Sequence, residues 1–138
     1  MIIKQITLSN HAKDQLSRLK GKTGIQNWNV LCRWAVCLSL REPTVPMEMV
    51  IPSDSNVEMS WHVFGGDHHE IFEALIIQRC INDNLGTDPA TLSKYFRLHL
   101  HRGISYLSSS NLIKSIEDLL TLATENTLFL KEEAGNYL

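Results

Sequence analysis

Six histidines and three cysteines are the residues of this 138-residue chain with the means to bind a metal or attack a substrate. Their spacing argues against most of that chemistry. His99 and His101 stand two apart in a stretch that reads as helix, so their imidazoles point to different faces and do not chelate one ion together. Cys32, Cys37 and Cys80 form no C-x-x-C pair, which disfavours a structural zinc site and a disulfide framework alike. An odd number of thiols fits a reducing cytoplasm. Cys32 and Cys37, five apart in an apolar run, read as packed thiols. Gly21-Lys22-Thr23 has the ending of a phosphate-binding loop, but the glycine such a loop needs five residues earlier is Leu16 here, and the lead-in is helical. Asp67-His68-His69-Glu70, beside Gly65-Gly66, is the one local cluster of donors. Acids are expected at a helix opening in any case. That cluster carries only an alternative reading, a metal-dependent nicking site for DNA. The sequence assigns no catalytic residue, no metal ligand and no cofactor.

The cations say more. A net charge of −2 conceals an uneven distribution. Residues 1–41 hold seven lysines and arginines against Asp14 alone, whereas residues 42–90 hold nine acids against Arg79 alone. Residues 91–114 hold four cations and no acid. A chain of near-neutral sum still presents a basic face to a polyanion when its cations are grouped in this way. The candidate phosphate contacts are Lys13, Arg18, Lys20 and Lys22 around the first helix and its turn. A second group is Lys94 and Arg97, which with His101 fall on one helical stripe at i, i+3, i+7. Each group by itself reads better as a solvated helix face. Two such groups in an acidic chain favour DNA.

These residues need elements to hold them. Residues 2–8 read as a strand with Ile6 and Leu8 on one face and Gln5 and Thr7 on the other. Ser9 or Asn10 caps a helix over 10–20 with Gly21 as its stop, and a second helix covers 27–41. That second helix is apolar around much of its circumference, with Trp28, Trp34 and Val36 pointing apart, which predicts burial between subunits. Pro43, Pro46 and Pro52 make 42–56 irregular, with a short strand at Met49-Val50-Ile51. Residues 57–63 alternate as a strand. A third helix over 68–84 turns Ile71, Phe72, Leu75 and Ile76 inward. A fourth opens at Asp88-Pro89 with a core face of Leu92, Phe96, Leu100 and Leu107, Gly103 marking a close approach. A fifth spans 112–124, and the tail after about 124 frays. The order strand, helix, glycine turn, helix within 2–41 resembles the ribbon-helix-helix layout, in which strands pair between subunits. The expected fold is mainly α: one compact domain over 1–138, with a few short strands, an N-terminal strand-helix-helix element, and an oligomeric state. No run is long and apolar enough to span a membrane. The start lacks the layout of a signal peptide, so the expected location is cytoplasmic.

The run Asn29-Val30-Leu31-Cys32-Arg33-Trp34-Ala35-Val36-Cys37-Leu38-Ser39-Leu40-Arg41-Glu42-Pro43 is similar to the DNA sulfur modification protein DndE family. Ile6-Thr7-Leu8-Ser9, Ala12-Lys13-Asp14 and Gln78-Arg79-Cys80 resemble the same family, and the likeness covers most of residues 2–108. It implies a non-catalytic accessory subunit of the machinery that replaces a non-bridging phosphate oxygen of DNA with sulfur. The sulfur chemistry would belong to other subunits, a cysteine desulfurase and an iron–sulfur protein. The implied partners are double-stranded DNA, nicked or distorted duplex included, the other subunits, and further copies of the chain, a tetramer among the expected states. A pure scaffold that never touches DNA is the remaining alternative.

Overall fold

A computed structural model describes residues 3–108 and 113–124. Strand β1 (Gln5–Thr7) leads into helix α1 (Asn10–Thr23), and helix α2 (Trp28–Arg41) follows. A strap without regular structure, residues 42–57, leads to strand β2 (Glu58–Ser60). Helix α3 (Trp61–Gly65), a 3-10 turn at Gly66–His68, helix α4 (His69–Asn82) and helix α5 (Pro89–Ser108) complete the main elements. Residues 116–124 are also helical.

The helix starts follow from local chemistry. The Ser9 hydroxyl accepts the Ala12 N–H at 3.1 Å and opens α1, while Asp88 accepts the N–H and hydroxyl of Thr91 behind Pro89 and opens α5. The end of α1 differs from the expectation. Gly21 lies inside the helix, and Gly24, at a φ of 76°, is the left-handed residue that stops it by donating its N–H to Lys20 O. Gly21 faces open space and has no conformational need to be glycine.

The second departure is α3. The alternation of residues 57–63 predicts a strand, yet the Ser60 hydroxyl accepts the Val63 N–H and turns the chain into a helix at Trp61. The helix brings Trp61 and Phe64 to the same inward side, where they meet Phe96 at centroid distances of 4.9 and 5.1 Å. Val63 is left exposed. Burial of Phe64 outweighs continuation of a two-stranded ladder, because an aromatic ring buries far more area than one more strand residue. The expected strand at 49–51 is also absent, since these residues run along the strap.

β1 pairs with β2 in antiparallel register, Ile6 opposite Met59. The ladder is therefore internal to the chain, and the ribbon-helix-helix comparison, which requires pairing between subunits, fails. Ile6 and Leu8 are buried together as the alternation requires.

α2 and α5 form the centre of the core. Leu31, Cys32, Ala35 and Val36 of α2 share one core cluster with Phe96, Leu100, Ile104 and Leu107 of the long helix. Val36 reaches this core, contrary to the reading that set it outward, while Trp28 and Trp34 remain half-buried at its edge. α4 is rotated from the expected setting. Ile76 and Cys80 are buried, but Ile71 and Leu75 are exposed. Among the described residues no helix is long and apolar enough to cross a membrane.

Candidate nucleic-acid interface

α1 places its cations on two flanks. Lys13 and Lys20, seven apart, share one flank, and Arg18 and Lys22, four apart, share the other. Ala12, Leu16 and Leu19 turn inward between the flanks, and Asp14 and Ser17 face solvent. The first flank is braced. Lys13 Nζ donates to Asn56 Oδ1 at 2.6 Å, and Lys20 Nζ stands 3.4 Å from the Trp28 ring centre, a close cation–π contact. Arg18 and Lys22 are exposed, and neither enters an ion pair or hydrogen bond among the described residues. Lys20 and Lys22 also lie in the last turn of α1, where the helix dipole favours positive charge.

The second basic group is differently employed. Lys94 pairs with Glu48 of the strap. Arg97 donates to the carbonyls of Thr7, Ile51 and Pro52. His101 donates from Nδ1 to Arg97 O at 2.9 Å and accepts the Ser9 N–H at Nε2. The Lys94–Arg97–His101 stripe thus binds the strap and β1 to α5 and is not an open cationic face.

Two further arginines, which the charge pattern does not single out, do the same work. Arg79 donates to the carbonyls of Leu40, Glu42 and Thr44 while pairing with Asp83 at 2.8 Å. Arg102 donates to Ser39 O, Ser39 Oγ and Thr44 O. A signal was present: a segment with three prolines and no ladder leaves many carbonyls unpaired, and arginine is the side chain with enough donors to satisfy several at once. Nothing in the sequence says which arginine reaches which carbonyl.

Ser39 and His99 present a hydroxyl and an imidazole 2.9 Å apart, the outline of a nucleophile and its base. Because Arg102 Nε–H already donates to Ser39 Oγ at 2.8 Å, the serine proton is directed to His99 Nδ1. Both residues are sealed, at 0% and 1% exposure, so no substrate reaches them. Burial first, and the positive charges of Arg79 and Arg102 next, push the His99 pKa down to about 4. Burial also lowers His101. Both imidazoles take up a proton less readily in the folded chain than in the unfolded chain, which does so below about pH 6.5, the ordinary histidine value. Stability is therefore expected to be level above that pH and to fall as the pH drops from about 6.5 towards 4. Urea denaturation at successive pH values checks this, and His99→Gln should flatten much of the slope.

The remaining candidates do not converge. Asp67, His68 and Glu70 are exposed, and His69 instead lies against His62 at a ring spacing of 4.3 Å. Among the described residues no three His, Cys, Asp or Glu side chains come together to hold a metal ion. Thr23 of the Gly21-Lys22-Thr23 run donates its hydroxyl to Leu19 O at 2.7 Å and accepts the Ile25 N–H, closing the helix. Cys32 is fully buried, which pushes its thiol up to about 12, and Cys80 is raised by burial too. Cys37, expected to pack, is instead exposed, though burial of its thiol raises it as well, and none of the three is a ready thiolate.

The family model for the DNA sulphur modification protein DndE matches residues 5–115. Among solved structures, the crystal structure of DndE from Escherichia coli B7A, involved in DNA phosphorothioation modification, is similar with a TM-score of 0.65 and 24% identity. That match covers 78% of this chain and 98% of the other. A DndE G21/24K mutant, also involved in DNA phosphorothioation, matches over the same shares with a TM-score of 0.58 and 20% identity. At these identities the two structures support the fold alone. No curated protein sequence matches the chain.

Proposed function

Since the chain belongs to the DNA sulphur modification protein DndE family, and so to the context of DNA phosphorothioation, we propose that it is a non-catalytic subunit that binds the phosphate backbone of duplex DNA through α1. The observation that carries this reading is the disposition of Lys13 and Lys20 on one flank and of Arg18 and Lys22, unpaired among the described residues, on the other, with Asp14 the only acid of the helix. Lys94 and Arg97 act in this reading as holders of the strap, with at most an indirect part in DNA contact. Duplex with a nick or distortion fits the same contacts, because nothing in them reads bases. Contact with other subunits and self-association belong to the proposal as well. The exposed Ile71 and Leu75 and the half-buried Trp28 and Trp34 support the second of these.

Salt titration of DNA binding tests it. Neutralised phosphates release counterions, so log K should fall with log salt at about 0.9 per phosphate contacted. Arg18→Ala and Lys22→Ala are each expected to weaken binding to every sequence alike and to lower that slope by about one unit. Lys13→Ala and Lys20→Ala should act in the same sense. Asp14→Asn should tighten binding, and Glu70→Ala should change nothing. A quadruple alanine variant at positions 13, 18, 20 and 22 with full affinity and full salt dependence would refute the placement. Strand cleavage abolished by chelation and by Asp67→Ala would instead favour the nicking alternative.

A further inference from the structure

The first turn of α1 is completed by groups from elsewhere in the chain. A capping box satisfies the N–H of the cap residue with a glutamate or glutamine three positions on. Here the cap is Ser9 and the third position is Ala12, which has no acceptor to offer. The Ser9 N–H is satisfied all the same, because Nε2 of His101, 92 residues away on α5, accepts it at 3.3 Å. The Asn10 N–H is met from a distance too, by Asp54 Oδ1 of the strap at 2.8 Å. α1 has no acid in its own first turn, so Asp54 is also the negative charge that faces its opening.

The tautomer of His101 follows from its partners. Arg97 O only accepts, so Nδ1, 2.9 Å away, carries the proton and Nε2 presents a lone pair. Only the neutral ring has that lone pair. A proton on Nε2 turns the acceptor into a second donor facing the Ser9 N–H, and sets a positive charge against the positive end of the helix dipole. Ser9 is 6% exposed, so its N–H has little water to turn to. His101, unlike the sealed His99, lines a groove of about 440 Å³ between the strap, α1 and α5, through which solvent reaches it. Around the ring stand His11 from α1, Asp54 from the strap, and Arg97 and Arg102 from α5 itself. Asp54 is the one acid among them, and the Asn10 N–H engages it.

We propose that His101 is a positioning residue for the basic helix: the neutral imidazole completes the α1 cap, and its protonation releases the first turn. Lys13 goes with that turn, since its own N–H closes it on Ser9 O at 2.9 Å. Contact between Lys13 and a phosphate then requires the turn to be ordered again. Burial holds the His101 pKa below the ordinary value, so release belongs to the acid side of about pH 6.5. The inference rests on the proposed function only in what α1 contacts.

NMR of the full chain between about pH 8 and 5 tests it, with the His101 ring giving the protonation and amide exchange giving the state of the turn. Protection of the Ser9 and Lys13 amides, referred to the intrinsic rate at each pH, should fall as His101 takes up its proton. Protection of Leu100 and Ile104, deep in α5, should follow only the global change. Level protection of Ser9 and Lys13 while His101 titrates overturns the proposal. His101→Gln sets an amide oxygen near the place of Nε2 and takes up no proton, so the fall should vanish, with circular dichroism verifying the fold. A fall that persists in His101→Gln, or that disappears in His11→Gln, assigns the effect to another group and overturns it too. DNA binding gives the functional readout. As the pH drops through the His101 midpoint, the affinity of the native chain should decline about fivefold relative to His101→Gln, the worth of one cap. His101→Leu should be weakened to that extent at every pH. Parallel pH profiles of the native chain and His101→Gln overturn the positioning role. Absence of DNA binding at every pH counts against the α1 reading instead, and the exchange data still decide whether His101 governs the turn.

Discussion

Gly103→Ala is expected to lower folding stability by about 3 kcal/mol, more than any surface change in the chain. A β-carbon at Gly103 would stand 1.8 Å from the carbonyl oxygen of Ala35 and 2.3 Å from its carbon. Those are main-chain atoms of α2, so no side chain can swing aside to make room. The two central helices must separate, and Leu31, Val36, Leu100 and Ile104, all nearly free of solvent contact, lose part of their packing. Urea denaturation gives the comparison, with Gly21→Ala as the internal reference. Gly21 sits in a helix with open space around it, so alanine there should raise stability by roughly 0.5–1 kcal/mol. Equal stability of the two variants would show that the crossing of α2 and α5 is looser than this geometry.

The second large effect is expected at Arg79. Its guanidinium serves the carbonyls of Leu40, Glu42 and Thr44 and the carboxylate of Asp83. Arg79→Met leaves the Leu40 and Glu42 carbonyls without their donor, Thr44 O with Arg102 alone and Asp83 without its partner, at a cost of about 2 kcal/mol. Arg79→Lys should recover little, since one ammonium does not span three carbonyls in the plane of a fork. The local signature matters more than the total. Amide exchange at Thr44, Val45 and Met47 should accelerate while that of Leu100 and Ile104, deep in α5, follows only the global change. Uniform acceleration across the chain would mean that the strap has no independence from the core.

These two residues mark the boundary of what the sequence made legible. Gly103 stood out because glycine in a long helix pattern signals close approach, and the faces of α1 and α5 followed from apolar spacing of three and four. The cap at Ser9 and the opening at Asp88-Pro89 were legible for the same local reason. Where two local signals competed, the reading failed. Residues 57–63 alternate like a strand, but Ser60 is also a cap, and the burial of Phe64 decided between them. Gly21 reads as the helix stop by residue type, but α1 runs past it, and Gly24, in the left-handed conformation, ends the helix. The setting of α4 was lost because apolar residues surround it, leaving no single stripe to orient it. Of the candidate DNA contacts, the α1 group was legible as charge. The structural employment of Arg97 was not, since its partners at Thr7, Ile51 and Pro52 are carbonyls, which every residue possesses.

Anchoring through carbonyls has an evolutionary consequence for the strap. Three guanidinia hold it by groups common to all twenty amino acids, so its shape is indifferent to the identity of most side chains it bears. Val45, Met47, Met49 and Val50 contribute little to keeping the loop in place, and exchanging them is expected to leave the fold intact. Such a segment can drift in sequence at low cost and follow changes in whatever it faces. The arginines cannot drift with it: Arg79, Arg97 and Arg102 sit on two helices, far along the chain from the carbonyls they hold. Variability concentrated in the loop and constancy concentrated in its distant anchors is the substitution pattern that this architecture permits.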